Sequence, residues 1–247
     1  MINPQQKKNR LFIIIIFGMT IIPFLIALVL QRNPELLKGT TNNIGQLIIP
    51  PVTTEPSDFI GFDAFSTANL SELSGHWLLT NVIPSEHCNE ICLDAVIKIK
   101  QLRLMLNKEF GRTRRVVIIF KDVPEASANQ WWLKDALLWR LRQTQKPADD
   151  ALFNTLLREE NSLDEAKVTQ LIGNEDRETV LKSDLIKIKP TENLLKKITA
   201  IRKGNIPDGM LFLIDPLGNI MMQYEPGFDP YKVKNDLMHL LRASQIG

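Results

Sequence analysis

One uncharged apolar run near the N-terminus constrains this 247-residue chain more than any other feature. Residues 11–30 read LFIIIIFGMTIIPFLIALVL and include no charged side chain. A helix of about 20 apolar residues matches the hydrocarbon thickness of a bilayer. A signal-peptide core would be shorter, roughly 7–15 residues, and would end in an A-x-A-like site, whereas this run continues into Gln31 and Arg32. The sequence therefore predicts an uncleaved transmembrane helix over 11–30.

The charges that flank this run predict its orientation. Lys7, Lys8 and Arg10 precede the run, whereas only Arg32 and Lys38 follow it closely. Basic residues are enriched on the cytoplasmic side of membrane helices. We therefore expect a cytoplasmic N-terminus over 1–10 and a remaining chain on the far side, where disulfides form and persist.

Composition predicts a linker followed by one domain. Residues 31–58 are rich in Pro, Gly, Thr and Asn without helical periodicity, so we interpret them as a linker. Residues 59–247 are long enough for one compact domain with its own core. Charged residues make up 23% of the chain and the net charge is +2, so no basic stripe indicates a nucleic-acid partner.

Hydrophobic periodicity predicts an α/β domain. An apolar, β-branched run at 76–83, a helical repeat over 88–109 and a continuous apolar run at 115–121 predict a strand–helix–strand unit with parallel strands. We treat residues 122–203 as an insertion that is mainly helical, with one short strand near TVLKSDLIKIK. Residues 210–224 then predict a β-hairpin around an Asp-Pro-Leu-Gly-Asn turn, and 229–243 predict an amphipathic helix.

The stretch SEHCNEICLDAV, residues 85–96, holds both cysteines of the chain. If a helix begins near Cys88, Cys88 and Cys92 share one face of its first turn, with β-carbons about 5–6 Å apart. A disulfide prefers about 4 Å, so this bond would be reducible and suited to exchange. The helix dipole and His87 would favour the thiolate of Cys88, which we predict to be the attacking sulfur. A structural disulfide or two buried thiols is the alternative.

The same two sulfurs are suitable ligands for a soft metal. Two thiolates side by side favour Cu(I), with His87 as a candidate third ligand beside Cys88 and Cys92. We interpret His76 and His239 as ordinary surface or capping residues. The methionines near the hairpin and the tryptophans of the middle section are interpreted as packing residues or a partner surface. The sequence contains no Gly-rich phosphate loop and no Gly-x-Ser-x-Gly motif.

Two segments of the sequence resemble a known family. LSGHWLLTNVIPSEHCNEIC and LFLIDPLGNIM are similar to the cysteine-bearing strand and the hairpin of the Sco/SenC family of cytochrome oxidase assembly proteins. The resemblance implies a thioredoxin-like domain with a helical insertion, tethered by the single N-terminal transmembrane helix. The family's copper-binding histidine falls eight residues before Asp215, where this chain has Pro207. Ile206-Pro207 before an apolar strand is instead similar to the cis-proline of general thioredoxins, so we predict a cis bond and a catalytic role there.

The resemblance also implies a function. It predicts a membrane-anchored thiol-redox or copper-delivery factor that assists assembly of a respiratory oxidase, with Cu(I) as its metal and thiol-disulfide oxidoreductase as a candidate activity. The expected partner is a membrane protein, a copper-receiving oxidase subunit. The expected location is the bacterial inner membrane, single-pass, with the C-terminal domain in the periplasm. A non-catalytic thioredoxin-like scaffold, which binds a partner during assembly of a membrane complex, is the alternative.

Overall fold

The computed structural model describes residues 4–33, 43–144, 147–159 and 163–244. The chain divides into two compact units, Met1–Asn43 and Ile44–Gly247. The first unit contains helix α1, Pro4–Arg32, with Pro23 inside it. Its part from Phe12 to Arg32 is long and apolar enough to cross a membrane, judged by length and composition.

In the part of the chain that the structure describes, the second unit contains one seven-stranded sheet with the order β1-β7-β6-β3-β4-β5-β2. The strands are β1 (Gln46–Thr53), β2 (Phe59–Gly61), β3 (Trp77–Ile83), β4 (Thr113–Ile119), β5 (Leu185–Pro190), β6 (Met210–Ile214) and β7 (Asn219–Tyr224). The helices are α2 (Ala64–Ala68), α3 (Glu90–Leu104), α4 (Glu125–Thr144), α5 (Pro147–Arg158), α6 (Glu165–Ile172), α7 (Arg177–Leu181), α8 (Glu192–Ile201) and α9 (Pro230–Ala243). Short 3₁₀ turns lie at 56–58, 70–73 and 107–112.

The centre of the sheet follows the order β4-β3-β6-β7. β3 and β4 are parallel and are joined by α3, whereas β6 is antiparallel to both β3 and β7. α9 follows the hairpin. The predicted parallel strand–helix–strand unit, the hairpin and the last helix are therefore confirmed, and this arrangement is thioredoxin-like.

Side chains alternate along the central strands, so the core has two layers. On β3, Leu79 and Ile83 face the layer that α3, α4 and α9 cover, while Leu78 and Val82 face the layer that contains Leu194 of α8. Every residue of β3 is buried, as expected for a central strand covered on both faces. The strand that carries the chain towards the cysteines is therefore fixed on both sides.

The predicted insertion over 122–203 has two structural parts. Helices α4 to α7 extend the layer on the α3 side of the sheet. β5, by contrast, pairs in parallel with β4, with Leu185 opposite Arg115, and α8 packs on the other face. The additional helical region is therefore 125–181, and the segment from 185 to 201 belongs to the central α/β architecture.

The predicted linker over 31–58 is too long. β1 lies within that range and pairs antiparallel with β7 at the edge of the sheet. Its register shifts between Leu47 and Val52, the interval that contains Pro50 and Pro51. Proline has no backbone N–H, and within sheets it is tolerated on edge strands and at bulges. The two prolines that suggested a linker therefore mark an irregular edge strand.

Candidate functional site

Cys88 and Cys92 form a disulfide where the chain passes from β3 into α3, and their Cα atoms are 5.2 Å apart. The helix begins at Glu90, so Cys88 lies ahead of the helix and Cys92 lies in its first turn. The sequence predicted that both sulfurs would share the first turn. The disulfide therefore links the loop before the helix to the first turn of the helix.

Three side chains hold the segment around Cys88. Asn89 is the N-cap of α3, and its Oδ1 accepts a hydrogen bond from the Cys92 N–H at 3.0 Å. The Nδ2 of Asn89 donates to Asp208 at 3.0 Å, and the Ser85 hydroxyl donates to the other oxygen of Asp208 at 2.7 Å. The Asp208 carboxylate therefore binds residues on both sides of Cys88 and fixes the loop before β6 against the start of α3.

The prediction of a cis peptide bond at Pro207 is wrong. In the part of the chain that the structure describes, the one cis bond precedes Pro50, so the bond before Pro207 is trans. The chain turns instead at Gly209, which has a φ of +79°. A Cβ on this glycine would lie 2.8 Å from the carbonyl oxygen of Ile91, so a larger residue would clash with α3. Asp208 and Gly209 therefore contact the start of α3, Asp208 through its hydrogen bond with Asn89 and Gly209 through its close approach to Ile91.

A cleft of about 840 Å³ opens beside Cys88. The start of α3 forms one side, and the loop after β4, helix α4 and the end of α5 form the rest. Its walls include the side chains of His87, Ile91, Trp131 and Leu157. Pro207 does not line this cleft. The helical region that follows β4 therefore forms part of the surroundings of the disulfide.

The two sulfur atoms differ in access to the cleft. Cys88 lines the cleft and is 8% exposed, whereas Cys92 is 1% exposed and lies behind it in the core. Catalysis by Cys88 and Cys92 stays a prediction. Their unequal burial favours Cys88 as the sulfur that meets a partner.

The wall opposite α3 is held by Lys134. This lysine is 5% exposed, and its Nζ donates to the carbonyl oxygen of Glu159 just after α5. Near the mouth, the Nε atom of Arg158 lies 3.6 Å from the Glu90 carboxylate on α3. One partly buried hydrogen bond therefore connects α4 with the residue just after α5, and one exposed ion pair connects α5 with α3.

The metal prediction names Cys88, Cys92 and His87. His87 lines the same cleft as Cys88, so the three residues occupy one region. Within the residues that the structure describes, no group of three or more His, Cys, Asp and Glu side chains is arranged to hold a metal ion. Reduction of the disulfide would provide two thiolates, which are the soft donors that Cu(I) prefers. The donor set thus fits a two-sulfur site, and the ligand role of His87 stays a prediction.

The other histidines lie outside the cleft. His76 Nδ1 is 3.0 Å from the carbonyl oxygen of Glu72, and its Nε2 is 2.9 Å from Arg114. His239 is exposed on α9. Met210 and Met222 are buried in the core, consistent with their interpretation as packing residues.

A group of charged residues lies against the second half of α3. We name Arg103, Arg115, Asp135 and Asp184 the α3 ionic cluster. Arg115 is fully buried and donates to Asp184 at 2.7 Å and to the carbonyl oxygen of Val96 in α3 at 3.1 Å. Its guanidinium also lies 3.5 Å from Asp135, and Arg103 donates to Asp184 from the helix itself.

Burial and neighbouring charges shift the pKa of the Asp184 carboxyl in opposite directions. Burial raises the pKa of its carboxyl, but the arginine cations at positions 115 and 103 outweigh this effect, so its pKa lies below its ordinary value. Burial also lowers the pKa of the Lys100 ammonium, a shift that Asp135 opposes. This cluster stabilises α3 and does not line the cleft.

Sequence reasoning missed several residues of the site. An asparagine directly before an apolar helical repeat is a typical N-cap, so Asn89 could have been identified. Asp208 could not, because its partner Asn89 is 119 residues away in the sequence. Trp131 was interpreted only as a packing or partner-surface residue, since no local pattern indicates that α4 folds back over α3.

One family model matches part of the chain. It is described as a transmembrane-like, thioredoxin-like C-terminal domain and matches residues 154–244, from α5 to the end of α9. The match includes the hairpin and the last helix but not the cysteine pair. No curated protein sequence matches the chain significantly.

Several solved structures are similar to the chain at low identity. The crystal structure of yeast Sco1 with copper bound has 11% identity and a TM-score of 0.37, over 70% of this chain and 83% of that one. The thioredoxin domain of a thiol-disulfide oxidoreductase from Bacteroides vulgatus also has 11% identity and a TM-score of 0.37, over 81% of this chain and 99% of that one. A yeast mitochondrial 1-Cys peroxiredoxin has 16% identity and a TM-score of 0.39, over 76% of each chain. The strand order and the family model together identify the second unit as an α/β domain of the thioredoxin-like fold.

Proposed function

We propose that this chain is a membrane-tethered thiol–disulfide exchange factor. The observation that carries the proposal is the placement of the disulfide at the start of α3, with Cys88 in the wall of a cleft and Cys92 buried behind it. A buried structural bridge would not need a cleft of about 840 Å³ beside one of its sulfurs. The arrangement instead supports attack on, or by, Cys88.

The exchange proceeds in two balanced steps. A thiolate of the client protein attacks the sulfur of Cys88, the Cys88–Cys92 bond breaks, and Cys92 leaves as a thiolate. A second client thiol, after losing its proton, attacks the client sulfur of this mixed disulfide and releases Cys88. The client gains a disulfide, the domain gains two thiols, and two electrons pass to the domain. In the reverse direction Cys88 attacks a client disulfide and Cys92 resolves the intermediate.

The start of α3 favours the leaving thiolate. The N-terminus of a helix presents unpaired N–H groups and a partial positive charge, which favour a thiolate nearby. Cys92 lies in the first turn, where its own N–H is held by Asn89. The helix therefore stabilises the charge that develops when the disulfide opens.

Copper binding is a second candidate function, supported by the same pair. The two sulfurs meet at one site and His87 lines the same cleft, while Pro207 occupies the position of the family histidine that the sequence resemblance indicates. Two thiolates without that histidine should hold Cu(I) much better than Cu(II), because sulfur donors favour the softer ion.

The proposed client is a membrane protein, a copper-receiving subunit of a respiratory oxidase. This part of the proposal rests on the Sco/SenC resemblance of the two sequence segments. The proposed location is the bacterial inner membrane with the domain in the periplasm, supported by the span Phe12–Arg32 and its basic N-terminal flank. A reporter enzyme fused after Gly247 should be active only outside the cytoplasm, and activity inside would contradict this location.

Single-cysteine variants test the exchange. Because the chain has only two cysteines, each variant leaves one sulfur. Full-length Cys92→Ser in detergent micelles should trap a mixed disulfide when its Cys88 thiolate attacks a client peptide that contains a disulfide, or a small disulfide, and one sulfur of that disulfide leaves as a thiolate. Mass spectrometry detects the product. The matched variant Cys88→Ser should trap little, since Cys92 is buried. Equal trapping by both variants, or none by either, would favour the non-catalytic scaffold.

Competition with a Cu(I) chelator tests the copper candidate. The reduced full-length protein should retain Cu(I) and lose Cu(II), and Cys88→Ser should abolish retention. Retention that survives His87→Ala would indicate a two-thiolate site, whereas its loss would make His87 a ligand. If the reduced protein binds no copper but exchanges its disulfide readily, copper delivery is excluded and thiol chemistry remains.

A further inference from the structure

We propose that the cleft beside Cys88 binds an extended polypeptide segment of the client, which carries an apolar side chain and a basic side chain next to its cysteine. This inference rests on the proposed exchange function and names its substrate class. The cleft volume of about 840 Å³ is near the upper end of the roughly 300–1,000 Å³ typical of ligand pockets. A small thiol would occupy only part of it.

The apolar preference follows from the cleft walls. Ile91 is 50% exposed although it is a large aliphatic residue, and it lies three positions after Cys88. Trp131 and Leu157 line the same cleft from α4 and α5. An apolar side chain beside the client cysteine would cover Ile91 and remove this surface from water.

The basic preference follows from two carboxylates. Glu86 and Glu90 lie two residues before and two residues after Cys88, and both line the cleft and are exposed. Glu90 is 3.6 Å from Arg158, but the two side chains are 49% and 73% exposed, and pairs of this kind contribute little. A client cation can therefore replace Arg158 at Glu90 and also approach Glu86.

The positive charge of Lys134, which also lines the cleft, does not cancel the preference for a basic client side chain. Lys134 is 5% exposed and donates to the carbonyl oxygen of Glu159 within the wall. The carboxylates of Glu86 and Glu90 are instead exposed on the segment that carries Cys88. Their charge is consequently the one that an incoming segment meets close to the reactive sulfur.

Three short peptides, blocked at both ends, test the preference. Leu-Cys-Lys, Leu-Cys-Glu, Ser-Cys-Lys and, as a small probe, mercaptoethanol are each prepared as a mixed disulfide with thionitrobenzoate. The thionitrobenzoate half carries the same carboxylate in all four probes, so only the other half of the disulfide differs between them. Full-length Cys92→Ser in micelles is the enzyme form. The Cys88 thiolate attacks the peptide sulfur, the peptide–thionitrobenzoate bond breaks, and the coloured thiolate that leaves gives the rate.

We expect Leu-Cys-Lys to react roughly tenfold faster than Leu-Cys-Glu at low salt, because each exposed charge pair contributes only a small factor in water. In about 1 M salt the ratio should fall below roughly twofold, since the Debye length is then only about 3 Å. Leu-Cys-Lys should also react about threefold faster than Ser-Cys-Lys, because the leucine covers Ile91.

Further substitutions in the Cys92→Ser variant identify the residues that cause each preference. The double change Glu86→Gln and Glu90→Gln should reduce the Lys-to-Glu ratio to below about twofold. Glu178→Gln, which removes an exposed carboxylate of α7 outside the cleft, should leave the ratio at its original value. Ile91→Ser should remove the preference for leucine over serine while the charge preference persists.

The outcomes separate this inference from the exchange function. If the small probe reacts with Cys88 and the three peptides react equally, the cleft has no such preference and the inference fails while exchange stands. Faster reaction of Leu-Cys-Glu, or of a glutathione mixed disulfide, would also overturn it and indicate an acidic or small thiol substrate. If no probe reacts, including the small one, both the inference and the exchange function fail.

Discussion

The first turn of α3 carries the disulfide, and the second half of the same helix rests on the α3 ionic cluster. At the first turn the polar contacts join Asn89, Ser85 and Asp208, whose side chains are exposed or only partly buried. In the α3 ionic cluster Arg115 is fully buried and donates to the carbonyl oxygen of Val96 near the middle of the helix, while Arg103 joins the cluster from the last turn. The first turn of α3 therefore depends on contacts that water can replace, whereas the cluster depends mainly on Arg115 and Asp135, whose side chains are 0% and 3% exposed.

Because of this difference, thiol exchange at Cys88 and the stability of the domain depend on different parts of α3. A client that displaces Arg158 or covers Ile91 changes only exposed contacts at the first turn. In the α3 ionic cluster each charge is needed to neutralise another, because an unpaired charge in the interior is costly. We therefore expect changes in the cluster to unfold the domain and changes at the first turn to alter exchange with little loss of stability.

Arg115→Met should give the largest loss of stability. It leaves Asp135, which is 3% exposed, and the partly exposed Asp184 without their buried cation. Removal of one partner of a buried ion pair costs about 3–5 kcal/mol in free energy of unfolding. All four tryptophans lie between residues 77 and 139, so their fluorescence in a urea titration of the full chain in micelles reports on this domain.

Arg177→Met is the matched control. Arg177 pairs with Glu165, but the two side chains are 49% and 77% exposed, so the change should leave the urea midpoint almost unchanged. Equal losses for Arg115→Met and Arg177→Met would show that the α3 ionic cluster does not anchor the helix. The contrast between its two ends would then be wrong.

Asp184→Asn should have an intermediate effect that depends on pH. The pKa of Asp184 is lowered in the fold, so the ionised form stabilises the folded state above the unfolded pKa of about 3.9. This contribution disappears as the pH falls below that value and through the lower folded pKa. Since its side chain is 42% exposed, we expect a loss of about 1–2 kcal/mol at pH 7.

The measurement for Asp184→Asn is a series of urea titrations between pH 3 and pH 7. The difference from the unmodified chain should be constant above about pH 5 and should shrink below about pH 4. Asp150→Asn is the control, because Asp150 is an exposed residue of α5 and is not a member of the cluster. A difference for Asp184→Asn that does not change with pH would indicate that its charge is not what stabilises α3.

Much of the fold could be predicted because its signals are local. The continuous apolar run at 115–121 and the turn sequence at 215–219 depend on neighbouring residues, and β4 and the β6–β7 hairpin confirm them. β1 was missed because Pro50 and Pro51 argue against a strand unless the strand lies at an edge. A position at the edge of a sheet is decided by long-range pairing, which the local sequence does not indicate.

In the candidate site, too, the features that depend on neighbouring residues were predicted, and those that depend on long-range packing were not. The cysteine pair at a strand-to-helix junction and the unremarkable role of His76 were predicted from local patterns. The wall formed by Trp131 was not predicted, and the cis bond at Pro207 was wrong, because the contact with α3 is made by Asp208 and Gly209. Which side chains a loop brings to a distant helix depends on packing, and no spacing in the sequence reports it.

Asn89→Ala should have a smaller effect on stability than Arg115→Met or Asp184→Asn, and a direct effect on the first turn of α3. The change removes the N-cap of α3 and the hydrogen bond to Asp208, and loss of an N-cap costs typically about 1 kcal/mol. Asn89→Ser keeps a capping oxygen but loses the bond to Asp208, so it should recover most of the stability. If the contrast along α3 is correct, Asn89→Ala will slow thiol exchange at Cys88 more than Arg177→Met does, while it unfolds at nearly the same urea concentration. A loss of stability as large as that of Arg115→Met would mean that the first turn anchors the helix as firmly as the α3 ionic cluster does.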